Sequence, residues 1–348
     1  MIRLAGATVL AFAVLNAPSV RQIPGPTSQQ VDPVVRTAID NLGSFDYPTR
    51  RDAARTLRRG NPVQVHPALT AAAYNHADQY VRYRALVLVT GFGEIEGRRP
   101  VHQLIADKND RVRSVVYEWF EYNPEKGIIP ALLDAVPKEP SPFVRPSLLR
   151  ALAAQPDDPR VRDLLTRFVI QGEDVFRGAT IVALGDYRRT YATKAIIEVA
   201  KLDGPLQADA VAALGRMKDA SAASALTEIR RSAPAEIIPL IVADECLLGF
   251  DCEAREKYLV GALRQNEKNA SRALGLLALD GRQSALLTII DEGVAARGDV
   301  RETAAIEIGV VALRAPQLIV AALAKRDDAD FDRRGFPHVA ARDRKSVV

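Results

Sequence analysis

From Val31 to Leu42 the apolar positions fall at Val31, Val34, Val35, Ala38, Ile39 and Leu42, the three-four spacing of a helix with one buried stripe, and Gly43 closes the run. Pro48 to Gly60 turns Ala53, Ala54 and Leu57 to one side and leaves five arginines outside or along the edge. Pro48 suits a first helical turn, where a backbone donor has no partner to lose. The same alternation predicts helix pairs along the rest of the chain. His66 to Asn75 pairs with Asp78 to Gly91, Arg99 to Ala106 with Asp110 to Tyr122, and Lys126 to Val136 with Pro142 to Ala154. Pro159 to Ile170 pairs with Asp174 to Asp186, Tyr191 to Leu202 with Pro205 to Met217, and Ala220 to Arg231 with Pro234 to Leu248. Glu253 to Arg264 pairs with Lys268 to Leu279 and Arg282 to Val294 with Asp299 to Leu313, leaving Pro316 to Lys325 as a terminal helix. Gly, Pro, Asp and Asn punctuate the breaks.

The second helices share a local text. Val81-Arg82 leads a run of small and apolar residues to Gly91. Val112-Arg113, Val144-Arg145, Phe176-Arg177 and Val300-Arg301 open similar runs, the first four about 31 or 32 residues apart. Self-similarity at that period marks a solenoid in which each repeat buries its apolar face against its neighbours. The predicted fold is therefore all-α: a right-handed superhelical α-solenoid of about nine antiparallel helix pairs plus a terminal helix. An acidic residue ahead of a helix caps free backbone N–H groups. The first-turn arginine is expected to reach a carboxylate of its own or the next repeat. Leu88, Val116, Leu149, Leu184 and Leu214 should fill the space between layers, and the glycines should end helices in a left-handed conformation.

Asp110-Arg111-Val112-Arg113, Asp299-Val300-Arg301, Ala183-Leu184-Gly185 and Ala213-Leu214-Gly215 resemble the short HEAT repeat also seen in phycobilin lyases. The resemblance covers about Val31 to Lys325. Gln207 and Ile238 stand where that pattern has arginine, and Thr49-Arg50-Arg51 only approximates the first copy. The resemblance implies that the Val-Arg helices line a concave side, and it fits many unrelated roles. Basic residues outnumber acidic ones on these helices from Pro48 to Lys218, and the balance reverses over the last three. The candidate partner-binding residues are Arg55, Arg58, Arg59, Arg84, Tyr117, Tyr122, Arg150 and Arg188, facing a protein partner that is acidic. The competing expectation is that inter-layer aspartates occupy these arginines.

With 48% hydrophobic and 26% charged residues, the chain can bury a large core and stay soluble. Its formal charge of +4 is too small to argue for nucleic acid. Met1-Ile2-Arg3, the apolar run Leu4 to Leu15 and Ala17-Pro18-Ser19 read as a signal peptide over 1–19, with a flexible spacer over 20–30, the solenoid over 31–326 and a charged, disordered tail over 327–348. The expected location is exported, periplasmic or secreted, with no stable membrane insertion after cleavage. Cys246 and Cys252 are the only cysteines, and export would permit a disulfide between them.

The four histidines, His66, His76, His102 and His338, form no metal-binding spacing, and no metal or other cofactor is expected. Asp328, Asp330 and Asp332 alternate like the opening of a calcium loop, but Arg333 and Val339 occupy the positions that need glycine and a bidentate glutamate. Gly91-Phe92-Gly93-Glu94-Ile95-Glu96-Gly97 has its third glycine misplaced for a nucleotide loop, and no strand precedes it. Val112, Val115, Val116, Trp119 and Phe120 share one helix face and read as core, while Tyr117 and Tyr122 point elsewhere. HEAT-like DNA glycosylases place an aspartate beside their groove aromatics, whereas this stretch carries Glu118 and Glu121. The predicted function is a non-catalytic scaffold or adaptor binding a protein partner on its concave face. The alternative is a lyase-type enzyme or cofactor-loading factor using a groove residue such as Glu118 or Tyr122.

Overall fold

A computed structural model describes residues 31–324. The signal segment, the spacer, His338, and the tail with its alternating aspartates lie outside the described residues. Packing divides the chain at Pro100 into two compact units.

In the first unit Asp32, Asp46, Asn61 and Asp78 each accept a backbone N–H at the start of α1 (Pro33–Asn41), α2 (Tyr47–Arg59), α3 (Pro62–Asn75) and α4 (Gln79–Gly91). Pro33, Pro48 and Pro62 sit in the first turns of the first three. Leu42, Leu57, Leu69 and Leu86 are fully enclosed between these helices. The helix α5 (Glu94–Leu104), within which the division falls, starts five residues before its predicted Arg99. Gly93 takes φ +134°, so the glycine-rich stretch turns sharply and then enters the helix.

The second unit continues with α6 (Asp110–Tyr122), α7 (Ile129–Ala135), α8 (Arg145–Ala154), α9 (Pro159–Ile170), α10 (Asp174–Asp186), α11 (Thr193–Ala200) and α12 (Gln207–Met217). Then come α13 (Ala223–Ile229), α14 (Ile238–Leu247), α15 (Cys252–Arg264), α16 (Ala270–Leu279), α17 (Gln283–Thr288), α18 (Gly298–Arg314) and α19 (Pro316–Ala324). Single 3-10 turns lead into α7, α11, α13 and α14, and a π turn, Ile289–Gly293, extends α17. Among the described residues the fold is all-α, 19 helices arranged as repeating antiparallel pairs, consistent with right-handed solenoid winding. Within this unit the second helix of each pair packs on the second helix of the next, from α6 through α18. Val112, Val116, Trp119 and Phe120 are buried as their stripe predicts, and so are Leu88, Leu149, Leu184 and Leu214.

The first-turn arginines add a contact to the expected one, which Arg177 makes by donating to Asp174 of its own helix at 2.8 Å. Arg82 Nε donates to the Ala73 carbonyl at 3.1 Å, Arg145 Nη2 to that of Glu139 at 2.8 Å, and Arg177 Nε to that of Val169 at 3.1 Å. Each side chain clamps the unpaired carbonyl end of the element just before its own helix, where a cation also suits the dipole. Gln207 keeps the donor without the charge: its Nε2 reaches the Ala200 carbonyl at 3.1 Å. In these pairs the motif is a connection between the two helices of the pair. Arg113 does both jobs, holding the Asp107 carbonyl at 2.7 Å and gripping Glu139 through Nε at 2.8 Å and Nη2 at 2.6 Å.

Two expectations need correction. Tyr117 does not face outward; it is 1% exposed, and its hydroxyl donates to Glu139 at 3.1 Å. A phenol can be buried when a carboxylate accepts its proton donor, and sequence spacing did not reveal Glu139 as that partner. The left-handed glycine stop holds for Gly172, Gly249 and Gly281, just after α9, α14 and α16, but not for the Leu-Gly steps of α10, α12 and α16. After α10 and α12 that conformation falls to Arg188 and Lys218, each three residues beyond the Leu-Gly glycine, while Gly185, Gly215 and Gly275 remain inside their helices.

Candidate functional site

Those helical glycines are notches. A Cβ on Gly185 would stand 2.9 Å from the Ala213 Cα and 3.1 Å from Arg216 Nε of the next layer. On Gly215 it would meet the carboxyl group of Asp244, and on Gly275 that of Glu307. A missing side chain in one inner helix thus seats a polar side chain of the next, and a charged cluster forms along the inner row of the second unit.

Its centre is Asp186, the last residue of α10, with a side chain only 6% exposed. Arg150 from α8 donates to it at 2.8 Å, Arg314 from α18 grips it with two nitrogens at 2.8 and 2.9 Å, and Arg216 from α12 lies 3.3 Å away. Burial alone would raise this carboxyl; Arg314, Arg216 and Arg150 outweigh it and hold the group below the usual carboxylate range. Arg150 also binds Glu121 at 2.6 Å, and the Tyr187 hydroxyl donates to the same Glu121 oxygen at 2.7 Å. Arg272 reaches back from α16 to Asp209 on α12 at 2.6 Å, and Lys218 pairs with Asp280.

Two acids of the cluster carry the cost of enclosure. Asp244 is fully buried with both oxygens unbonded, and desolvation pushes it well above the usual range despite Arg216. Arg216 is pulled down by burial in turn. Glu307 is raised to about 6 by desolvation, which Arg272, Arg216 and Arg314 only partly offset. An acid raised on folding favours the folded state while protonated, and that advantage is lost as pH rises from about 4.5 through about 6. Glu307→Gln should therefore be more stable than the parent above pH 6, by ~2 kcal/mol, and converge with it below pH 4.5. Urea unfolding across that pH range measures the difference; parallel curves at all pH values would contradict the account.

The predicted partner residues are scattered. Arg55, Arg58 and Arg59 are exposed on α2, Arg55 with Asp52 at 3.5 Å, and Arg58 and Arg59 complementing the carbonyl end of their helix. Arg84 is half-buried on α4 with Nε unbonded. Tyr122 is 73% exposed at the end of α6, and Glu118 is exposed one turn earlier. Arg188 lies 4.0 Å from Asp280. Of the eight, only Arg150 enters the cluster's core, where acids already engage it. Asp186, Arg216, Asp244 and Glu307 were missed; the available signal was a charge immediately after a Leu-Gly step, and a carboxylate inside the apolar run from Ile238 to Leu248.

Cys246, late in α14, and Cys252, opening α15, are joined as a disulfide with Cα atoms 4.5 Å apart. Closing so short a loop contributes about 2 kcal/mol in the chain-entropy picture. Intact mass before and after reduction should differ by about two hydrogens; two thiols alkylated in native protein would refute the bridge. Among the described residues no cluster of His, Cys, Asp or Glu could hold a metal, and no single helix is long and apolar enough to cross a membrane.

No protein-family profile matches the chain, and no curated protein does. Among solved structures with a distant likeness are two helical-repeat chains. YibA of E. coli aligns at 18% identity and TM-score 0.46 over 62% of this chain and 81% of its own. The CpcE–CpcF complex of phycocyanin lyase from a Nostoc species aligns at 19% identity and TM-score 0.39, over 69% and 98%. Both likenesses are remote, and the ground for the solenoid is the helix pairs themselves.

Proposed function

We propose that this chain is an exported, non-catalytic scaffold that binds an acidic partner protein through cations displayed on its helices. The observation that carries the reading is the mutual engagement of the inner charges. Asp186 is surrounded by three arginines and Glu121 by Arg150 and Tyr187, an arrangement suited to holding layers together. Recognition then falls to side chains displayed outward. On α2, Arg55, Arg58 and Arg59 are exposed, with Phe45 and Tyr47 exposed nearby, a mixture of charge and aromatic surface typical of protein contacts.

The test is the triple variant Arg55→Glu, Arg58→Glu, Arg59→Glu used as bait on the native envelope fraction. The parent should capture its partner with a steep dependence on salt, and the variant should retain little of that capture. Equal capture by a variant with a normal helical spectrum would place recognition elsewhere. N-terminal sequencing of native protein should begin after Ser19; an intact Met1 in a cytosolic fraction would remove export from the reading.

A further inference from the structure

Two clefts line α9 in the second unit, away from the inner cluster. On one flank a cleft of about 510 Å³ has Leu133, Val136 and Phe168 in its walls, with Arg145, Arg160 and Arg167 around them. On the other flank a second cleft of about 660 Å³ is bounded by Arg162, Ile170 and Tyr191. Asp163 and Arg167 belong to both, so the two form one strip along the helix.

The polar groups of the strip are unequally satisfied. Arg160 is held by Asp158 at 2.8 Å and Arg162 by Asp157 at 3.1 Å. Arg145 stacks on the Phe176 ring at 4.5 Å and spends Nη2 on the Glu139 carbonyl, yet its Nε is enclosed with no acceptor. Arg167, exposed where the clefts meet, has no ion pair among the described residues. Asp163 is the one acid lining the clefts. An occupant must therefore bring an anion for Arg167 and an apolar group for the Leu133–Val136–Phe168 walls. Twelve helical residues span ~18 Å, the length of about five or six extended residues.

We propose that the outward face of α9 is a docking groove for an extended acidic segment of a partner protein, anchored by one aromatic or branched apolar side chain in the cleft beside α7. The segment's carboxylate pairs with Arg167. The apolar anchor supplies the area term and the charges fix register and approach. This inference rests on the scaffold reading and adds a contact in the second unit.

The experiment uses the full chain and three short fluorescein-labelled peptides, read by fluorescence anisotropy. One has aspartates flanking a phenylalanine, one has serine for the phenylalanine, and one has lysines for the aspartates. The aspartate–phenylalanine peptide should bind, the serine peptide several-fold more weakly and the lysine peptide not at all. Arg167→Glu, checked for an unchanged helical spectrum, should weaken binding at least about tenfold, and Arg167→Lys should retain most of it. No binding, equal binding of the lysine peptide, or an unaltered Arg167→Glu would overturn the groove, as would a single-stranded RNA displacing the peptide at lower concentration. Loss of partner capture in the α2 triple variant alongside an indifferent Arg167→Glu would overturn the groove while leaving the scaffold reading intact.

Discussion

Arg113→Leu is expected to cost about 3–5 kcal/mol of stability, because it strands a carboxylate that is already inside. Glu139 is 2% exposed, and both its oxygens bond to Arg113, with Tyr117 and the Ser141 backbone N–H completing the set. Burial works to raise this carboxyl, and the Arg113 pair leads the bonds that hold it below the usual range. A depressed acid contributes stability that is present above its unfolded value, near 4.5, and is lost as pH falls through the folded one. In Arg113→Leu the partner is gone, Glu139 titrates upward, and the deficit should shrink as the pH approaches 4. The double variant Arg113→Leu, Glu139→Leu should recover much of the loss, since an apolar pair of similar volume can replace a buried ion pair. Denaturant unfolding of the four species, as a double-mutant cycle, gives the coupling directly. A single-variant loss below 1 kcal/mol would mean that water reaches Glu139.

Asp186→Asn should be comparably severe, about 3–5 kcal/mol, for the opposite reason: it strands cations. Arg150 keeps Glu121, and Arg314, with 43% of its side chain exposed, can swing toward water. Arg216 has neither escape, since its side chain is 18% exposed and its Nε and Nη2 lack hydrogen-bond partners. Adding Arg216→Met to Asp186→Asn should therefore restore more stability than adding Arg314→Met. Thermal unfolding of the two double variants decides this, and equal rescue would contradict the central place given to Arg216.

The fold was legible because one physical rule repeats. Each helix must bury a stripe, so the pairs announced themselves, and α6, α9 and α10 begin and end where their spacing predicts. The start of α5 was hidden by Gly91, Gly93 and Gly97, since a glycine-rich stretch reads the same whether it is a loop or a turn into a helix. The cluster was illegible for a different reason. Nothing in local spacing distinguishes a glycine that ends a helix from one that seats a neighbour's carboxylate, and Gly215 becomes meaningful only when Asp244 is known to lie against it. Likewise the first-turn arginines were visible as a pattern, but the carbonyls they clamp belong to the preceding element. Gln207, an apparent exception, turned out to obey the same rule.

The bond from Arg314 to Asp186 joins residues 128 positions apart, across three intervening inner helices. In an ordinary repeat array stability adds up from nearest neighbours, and folding can start anywhere and spread. A clasp between α10 and α18 ties layers that are not neighbours, and such closure carries an entropic cost before any contact rewards it. The span from α10 to α18 should accordingly melt as one cooperative block, not by fraying inward from its C-terminal edge. In native-state hydrogen exchange, Arg314→Ala should loosen the amides at the end of α10 together with those of α18, and should accelerate unfolding more than it slows folding.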